Sequence, residues 1–353
     1  MSEPVYRILF EGERWFGSNA DACLWALRRL GHAVLDLDFN ILVPFWESFN
    51  LKVARRLLRF LMMDEHNQEL LRLAREFKPH IFLAFKGAYI LSDTIQAMRA
   101  QGIAAYNYYP DVSAFSHKAG WLPSTLRQYD CVFSTKSFLA ADLEAQGYPV
   151  RHWEYLPHGY DPRAHHPVAV SAEDQVRYGA DVAFIGGQTP AKERLLADLL
   201  ELMPDLNLAV WGDRWQRTQS PALRACVRGR GIFGIEYMKA ICASRIMLGL
   251  LSEKQPGSSV GDYVTSRSFN IPACGAFMLH ERTEEILNYY DPGREIECFS
   301  SPEELADKIK YYLAHPETRR AVAQAGYRRC VPAYSHDGRM RALLEWHRRH
   351  SQT

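Results

Sequence analysis

"DVAFIGGQTPAKERLL", residues 181–196, decides the architecture, because an apolar run passes through two glycines directly into a helix signal. The run Val182–Ile185 has no polar interruption, as expected of a strand covered on both faces of a parallel sheet. Gly186 and Gly187 end it, Thr189 is a candidate N-cap, and Pro190 suits the first helical position. Lys192 and Arg194 then fall in the first turns, where the helix dipole disfavours each cation by up to about 1 kcal/mol unless an anion is held nearby. Free amides beyond a glycine pair form such an anion site, so the stretch predicts a βα unit and leaves two readings of its cations, a bound phosphate or neutralisation by Glu193 and solvent.

The same alternation extends both ways. Upstream, "VYRILF", "AVLDLD", "HIFLAFKG", "IAAYNYYPD" and "VRHWEYLPHG" read as strands between helical patterns such as "ADACLWALRRL" and "LAADLEAQG". Downstream, "LNLAVWG", "RIMLGLLS" and "AFMLH" alternate with "EYMKAICAS" and "TEEILNYY". At 353 residues the chain exceeds the size at which one core keeps growing. The expectation is an α/β protein of two Rossmann-like doubly wound domains facing a central cleft. Residues 1–160 form an acceptor-side domain, 161–178 a linker and 179–330 a nucleotide-binding domain, and a helix in 331–353 packs back toward the N-terminal domain.

Charge excludes several classes of partner. Lys plus Arg minus Asp plus Glu is 42 − 41 = +1, which gives no field for nucleic acid. Seven scattered cysteines without a C-x-x-C pair fit neither a disulfide framework nor a structural zinc site, and suit a reducing cytoplasm. The acids of the first strand and its loop leave no signal-peptide run. "KVARRLLRFLMM", residues 52–63, is basic and amphipathic, so a peripheral contact with the inner membrane face is an expectation beside that of a packed surface helix. No metal-ligand set emerges: Asp36 and Asp38 sit at a strand end, and His165 and His166 in the linker.

Ligands in doubly wound sheets sit beyond the carboxyl ends of strands, so the strand-to-helix loops carry the chemistry. Besides Gly186, Gly187, Gln188 and Lys192, the loop "LSEKQPGSSVGDYVTSRSFNIPACG", residues 251–275, stands out. A helix beginning near Asp262 and stopped by Gly275 would put Asp262, Ser266 and Asn270 on one face beside Arg267, offering a guanidinium for an anion and polar groups for hydroxyls. Tyr237 is a candidate for the base pocket. In the first domain, Asp111 and His117 of "YNYYPDVSAFSHKAGW" are the candidates for a catalytic base, with Glu11 and Glu13 as rivals.

"YLPHGYDP", "DVAFIGGQTPAKERLL" and "TSRSFNIPACGAFMLHERTEEI" together resemble the donor-binding half of the CgeB-like (spore-maturation-type) glycosyltransferases, a branch of the GT-B enzymes with a group-1-like C-terminal domain. The resemblance covers residues 155–330 and is loose before them. It implies a hexosyl transfer from a nucleotide-diphosphate sugar to a glycan, lipid-linked, protein or small-molecule acceptor, with retention the expectation and inversion, which would need a base such as Asp111 or His117, the alternative; the helix start with Lys192 and Arg267 would serve the diphosphate without a metal or other cofactor. Asp262 would face the donor sugar, Asn270 would take the ribose hydroxyls where the family has Glu, and Lys192 with Arg267 would neutralise the diphosphate. Two alternatives share the fold: a sugar-nucleotide epimerase, and a non-catalytic nucleotide-sugar-binding protein.

Overall fold

The computed structural model describes residues 4–42, 49–117 and 120–350, with the side chains at 41, 42 and 49–57 excepted. The chain divides into two compact units. Met1–Pro157, Lys254–Val260 and Arg339–Thr353 make the first, and His158–Glu253 with Gly261–Gly338 make the second.

In the first unit, β1 (Arg7–Glu11), β2 (Ala33–Leu37), β3 (Ile81–Phe85), β4 (Ala104–Tyr109), β5 (Cys131–Ser134) and β6 (Trp153–Tyr155) form one parallel sheet in the order β2-β1-β3-β4-β5-β6. "IFLAF" of β3 is buried at every position, which is why it shows no alternation. The C-terminal helix His336–His350 covers one face, where Met340, Leu343 and Trp346 join Tyr106 and Phe133 in the core. His347 Nδ1 meets the Tyr106 hydroxyl at 2.7 Å, and Trp346 Nε1 donates to Glu154 at 2.9 Å. Lys254–Val260 joins this unit through Ser113 Oγ, which donates to the Pro256 carbonyl at 2.6 Å.

In the second unit, β7 (Ala180–Ile185), β8 (Leu208–Trp211), β9 (Val227–Gly229), β10 (Ser244–Gly249), β11 (Met278–Glu281) and β12 (Glu297–Phe299) form a parallel sheet in the order β12-β11-β10-β7-β8-β9. Apolar cores fill both faces. The sheet grows one way from β7 to β9 and the other way from β10 to β12, so the direction reverses between β7 and β10. That reversal opens a crevice at the strands' carboxyl ends.

Residues 161–178, read as linker, fall within the second unit and contain a helix, Ala172–Tyr178. A capping box explains it: the Ser171 hydroxyl accepts from the Asp174 amide while the Asp174 carboxylate accepts from the Ser171 amide. The helix expected from Asp262 instead spans Arg267–Ala273. Asp262 is diverted because its amide donates to the Ser252 carbonyl at 2.8 Å and its carboxylate accepts the Ser252 amide at 3.3 Å, closing a loop neck. Gly275, with φ of +73°, ends the helix in the left-handed conformation that glycine adopts at no steric cost.

Candidate functional site

Three loops of the second unit meet at the β7/β10 reversal. Gly186–Thr189 follows β7, Leu250–Glu253 and Gly261–Ser266 follow β10, and Glu281 ends β11.

Arg267 is the centre. Its Nη2 donates to the Leu250 carbonyl at 2.7 Å, and its guanidinium carbon lies 5.3 Å from the centre of the Phe184 ring. A Cβ at position 186 would stand 3.0 Å from Arg267 Nη1 and 2.8 Å from Phe184 Cζ. Gly186 therefore makes room for the guanidinium. Above Gly187 the space is open. Nε of Arg267 is buried without a hydrogen-bond partner, and among the described residues no carboxylate forms an ion pair with this side chain. Burial lowers the pKa of Arg267, opposed by Tyr237, Asp262 and Glu281. A cation held in place with a donor unspent is poised for an anionic ligand.

Lys192 lies in the first turn of the helix Pro190–Leu202, 4 % exposed, with Nζ 3.2 Å from Ser252 Oγ. Burial, and next the charge of Arg267, push its pKa down to about 8, against Asp262, Glu281 and Glu253. Thr189 has the extended backbone of an N-cap, but its hydroxyl makes no capping bond and is buried without a partner. The helix start is served instead by Glu253, whose two carboxylate oxygens each lie 3.4 Å from the Ala191 amide. Sequence reading missed Glu253, because contact with residue 191 requires β10 to run beside β7.

Tyr237, Arg267 and Asn270 come together. The Tyr237 hydroxyl bonds the Asn270 side chain, and its pKa is pushed up to about 12 by burial first and then by Cys274. Asn270 Oδ1 is buried without a partner. Asp262 reaches Lys192 and Arg267 by charge, from a loop instead of a helix face. Ser266 precedes the helix without capping it, although its carbonyl accepts the Asn270 amide at 2.9 Å. Gln188 is engaged elsewhere: its Nε2 donates to Glu193 at 2.5 Å and its amide to the Asp213 carbonyl.

Beneath Arg267 lies a buried relay that sequence reading also missed. His280 and Ser268 are both fully buried, with His280 Nε2 2.8 Å from Ser268 Oγ and Nδ1 2.6 Å from the Glu281 carbonyl. A carbonyl only accepts, so Nδ1 carries the proton and Nε2 accepts from the Ser268 hydroxyl. Burial pushes the His280 pKa down to about 4, which keeps this neutral tautomer. Ser268 Oγ in turn accepts the Thr265 amide at 3.0 Å, fixing the turn that carries Arg267. Gly249 makes space for the ring, since a Cβ there would stand 2.5 Å from His280 Cδ2.

In the first unit, Asp111 forms an ion pair with Lys86 at 2.6 Å. The pKa of His117 is lowered by burial and then by Lys86, with Asp111 opposing. Lys86 adopts φ of +69°, a strained conformation for a residue with a side chain. Glu13 feels Lys86, Asp38 and Asp111, with its pKa raised mainly by burial. Glu11 is different: it is 3 % exposed and sits 3.4 Å from buried His66, so it offers no open carboxylate to an acceptor. Asp36 is taken by Arg14 at 2.6 Å and Arg28 at 2.5 Å.

Residues 189–345 match the glycosyl transferase-like family. A stretch of 72 residues is 33% identical to the spore protein CgeB of Bacillus subtilis (strain 168), covering 20% of this chain and 21% of that protein. The expected likeness to CgeB over residues 155–330 is shown only as this short match of 72 residues. Among solved structures, sucrose-phosphate synthase from Thermosynechococcus elongatus superposes with a TM-score of 0.67 at 14% identity, covering 98% of each chain. Anabaena HepE in complex with UDP-glucose gives 0.65 at 12%, covering 98% of this chain and 100% of that one. The chain has the GT-B fold of two parallel-sheet α/β units, and its residues 189–345 are similar to the glycosyl transferase-like family.

Proposed function

We propose that this chain is a glycosyltransferase that moves a sugar from a nucleoside-diphosphate donor, with the second unit holding the donor. The observation that carries the reading is Arg267, held over Gly186 with Nε unspent and no ion-pair partner among the described residues, beside buried Lys192. Donor transfer leaves a diphosphate that gains negative charge, and two preorganised cations near a helix start stabilise it. In this reading they supply the charge without a divalent ion, so chelator leaves turnover unchanged. Asn270 and Tyr237 take the nucleoside, Asp262 faces the sugar, and the transfer retains anomeric configuration. Asp111 and His117 are offered for the acceptor.

The test is mass spectrometry after incubation with UDP-, GDP- and dTDP-sugars, with and without candidate acceptors. Nucleoside diphosphate released together with a glycosylated product is expected. An altered donor formed without acceptor would point to an epimerase, and an intact donor to a binding protein.

Two outcomes follow from the charges. Lys192 pairs with phosphate only when protonated, so nucleoside-diphosphate affinity is expected to fall as pH rises through about 8, by up to about tenfold per unit. Calorimetry across that range reads it, and a flat profile removes Lys192 from the phosphates. Glu253 occupies the helix start that a phosphate would use, so Glu253→Gln is expected to tighten nucleoside diphosphate about fivefold, on the order of 1 kcal/mol. A weaker complex would instead make Glu253 part of the donor's grip.

A further inference from the structure

Among the described residues three that are not glycine adopt a left-handed backbone: Lys78, Lys86 and Arg214, with φ of +49°, +69° and +71°. For the first two the fold shows a use. Lys78 follows the last turn of the helix Phe49–Phe77, and its amide donates to the Ala74 carbonyl at 2.9 Å, a common helix ending. Lys86 spends its ammonium on Asp111. Arg214 is exposed, and its guanidinium forms no hydrogen bond or ion pair among the described residues. Glycine or asparagine would take this conformation at less cost, so arginine adds nothing to the turn except a charge.

The turn that carries Arg214 is built against the turn after β7. Gly212 lets the two backbones touch, since a Cβ there would clash with the Gly186 carbonyl oxygen. Trp215, fully buried, donates its Nε1 proton to that same oxygen at 2.7 Å, and the Asp213 carbonyl accepts the Gln188 amide at 3.0 Å. Arg214 therefore stands one residue from a bond to Gln188, beside the space left open at Gly187. Charge gives it a task there. Lys192 feels Asp262, Glu281 and Glu253, and Arg267 feels Asp262 and Glu281, so two cations face three acids before any ligand enters. A diphosphate at this place would leave them further outnumbered. We propose that Arg214 is a third donor-binding cation, which turns over Gly187 to pair with the diphosphate; the inference rests on the donor reading of the second unit.

The test is calorimetry with UDP, GDP and dTDP, followed for whichever binds tightest, on the full chain and on its Arg214→Gly, Arg214→Lys and Arg267→Ala variants. Arg214→Gly is expected to weaken the diphosphate about fivefold or more. Its thermal unfolding midpoint is expected to hold or rise, because relief of the left-handed backbone offsets the greater freedom of glycine in the unfolded chain. Unfolding then does not account for the loss. Arg214→Lys keeps the charge and is expected to stay within about twofold of the wild type, since an ammonium serves a phosphate as a point charge. Wild-type affinity in Arg214→Gly, or a loss in Arg214→Lys as large as that of the glycine variant, overturns the proposal; where Arg267→Ala still weakens binding, the donor reading stands without it. A wild-type chain that binds none of the three diphosphates overturns both.

Discussion

Arg267→Ala is expected to raise the dissociation constant of a nucleoside diphosphate by at least about tenfold while leaving the unfolding midpoint nearly unchanged. The affinity loss is that of one charged hydrogen bond, about 1.5–3 kcal/mol. Stability is spared because the guanidinium makes one bond to the Leu250 carbonyl and is lowered in pKa by its own burial, so its removal also relieves an uncompensated charge. Arg267→Lys is expected to fail nearly as badly, since an ammonium cannot bond the Leu250 carbonyl and present a second donor in a fixed plane. Calorimetry reads both, and affinity unchanged in the alanine variant would detach Arg267 from the donor.

His280→Ala is expected to cost about 2–4 kcal/mol of stability, seen as a lower denaturant midpoint at unchanged slope. The ring is fully buried against Gly249, so its loss leaves a cavity, and it leaves the Ser268 hydroxyl without its acceptor. The turn from Thr265 to Ser268 would loosen, and with it the aim of Arg267. Donor affinity is therefore expected to fall under conditions where the variant is still folded. A variant of wild-type stability would show that the His280–Ser268 bond holds nothing in place.

Much of the fold could be read because the strands are short, wholly apolar runs bounded by glycine, and those properties are local. "IFLAF" of β3 and the βα turn at Gly186 and Gly187 are legible for that reason. Gly275 as a helix stop is equally local, since it depends on one left-handed residue. The helix expected from Asp262 failed because Asp262 bonds Ser252, ten residues earlier, and no periodicity reports such a closure. Arg267, Lys192 and Asn270 could be named from residue type and spacing, but that Gly186 makes room for Arg267 is a contact between the turns after β7 and β10. Glu253 at the helix start and His280 under the Arg267 turn depend on the strand order β11-β10-β7, which only the folded sheet supplies.

A crystal structure of the chain soaked with UDP tests the central claim most directly. The diphosphate is expected over Gly187, with oxygens about 2.7–3.2 Å from Arg267 Nε and Lys192 Nζ, and with Glu253 displaced from the Ala191 amide. An empty crevice at saturating ligand, or a diphosphate bound elsewhere while Glu253 keeps its place at the helix start, would contradict the account.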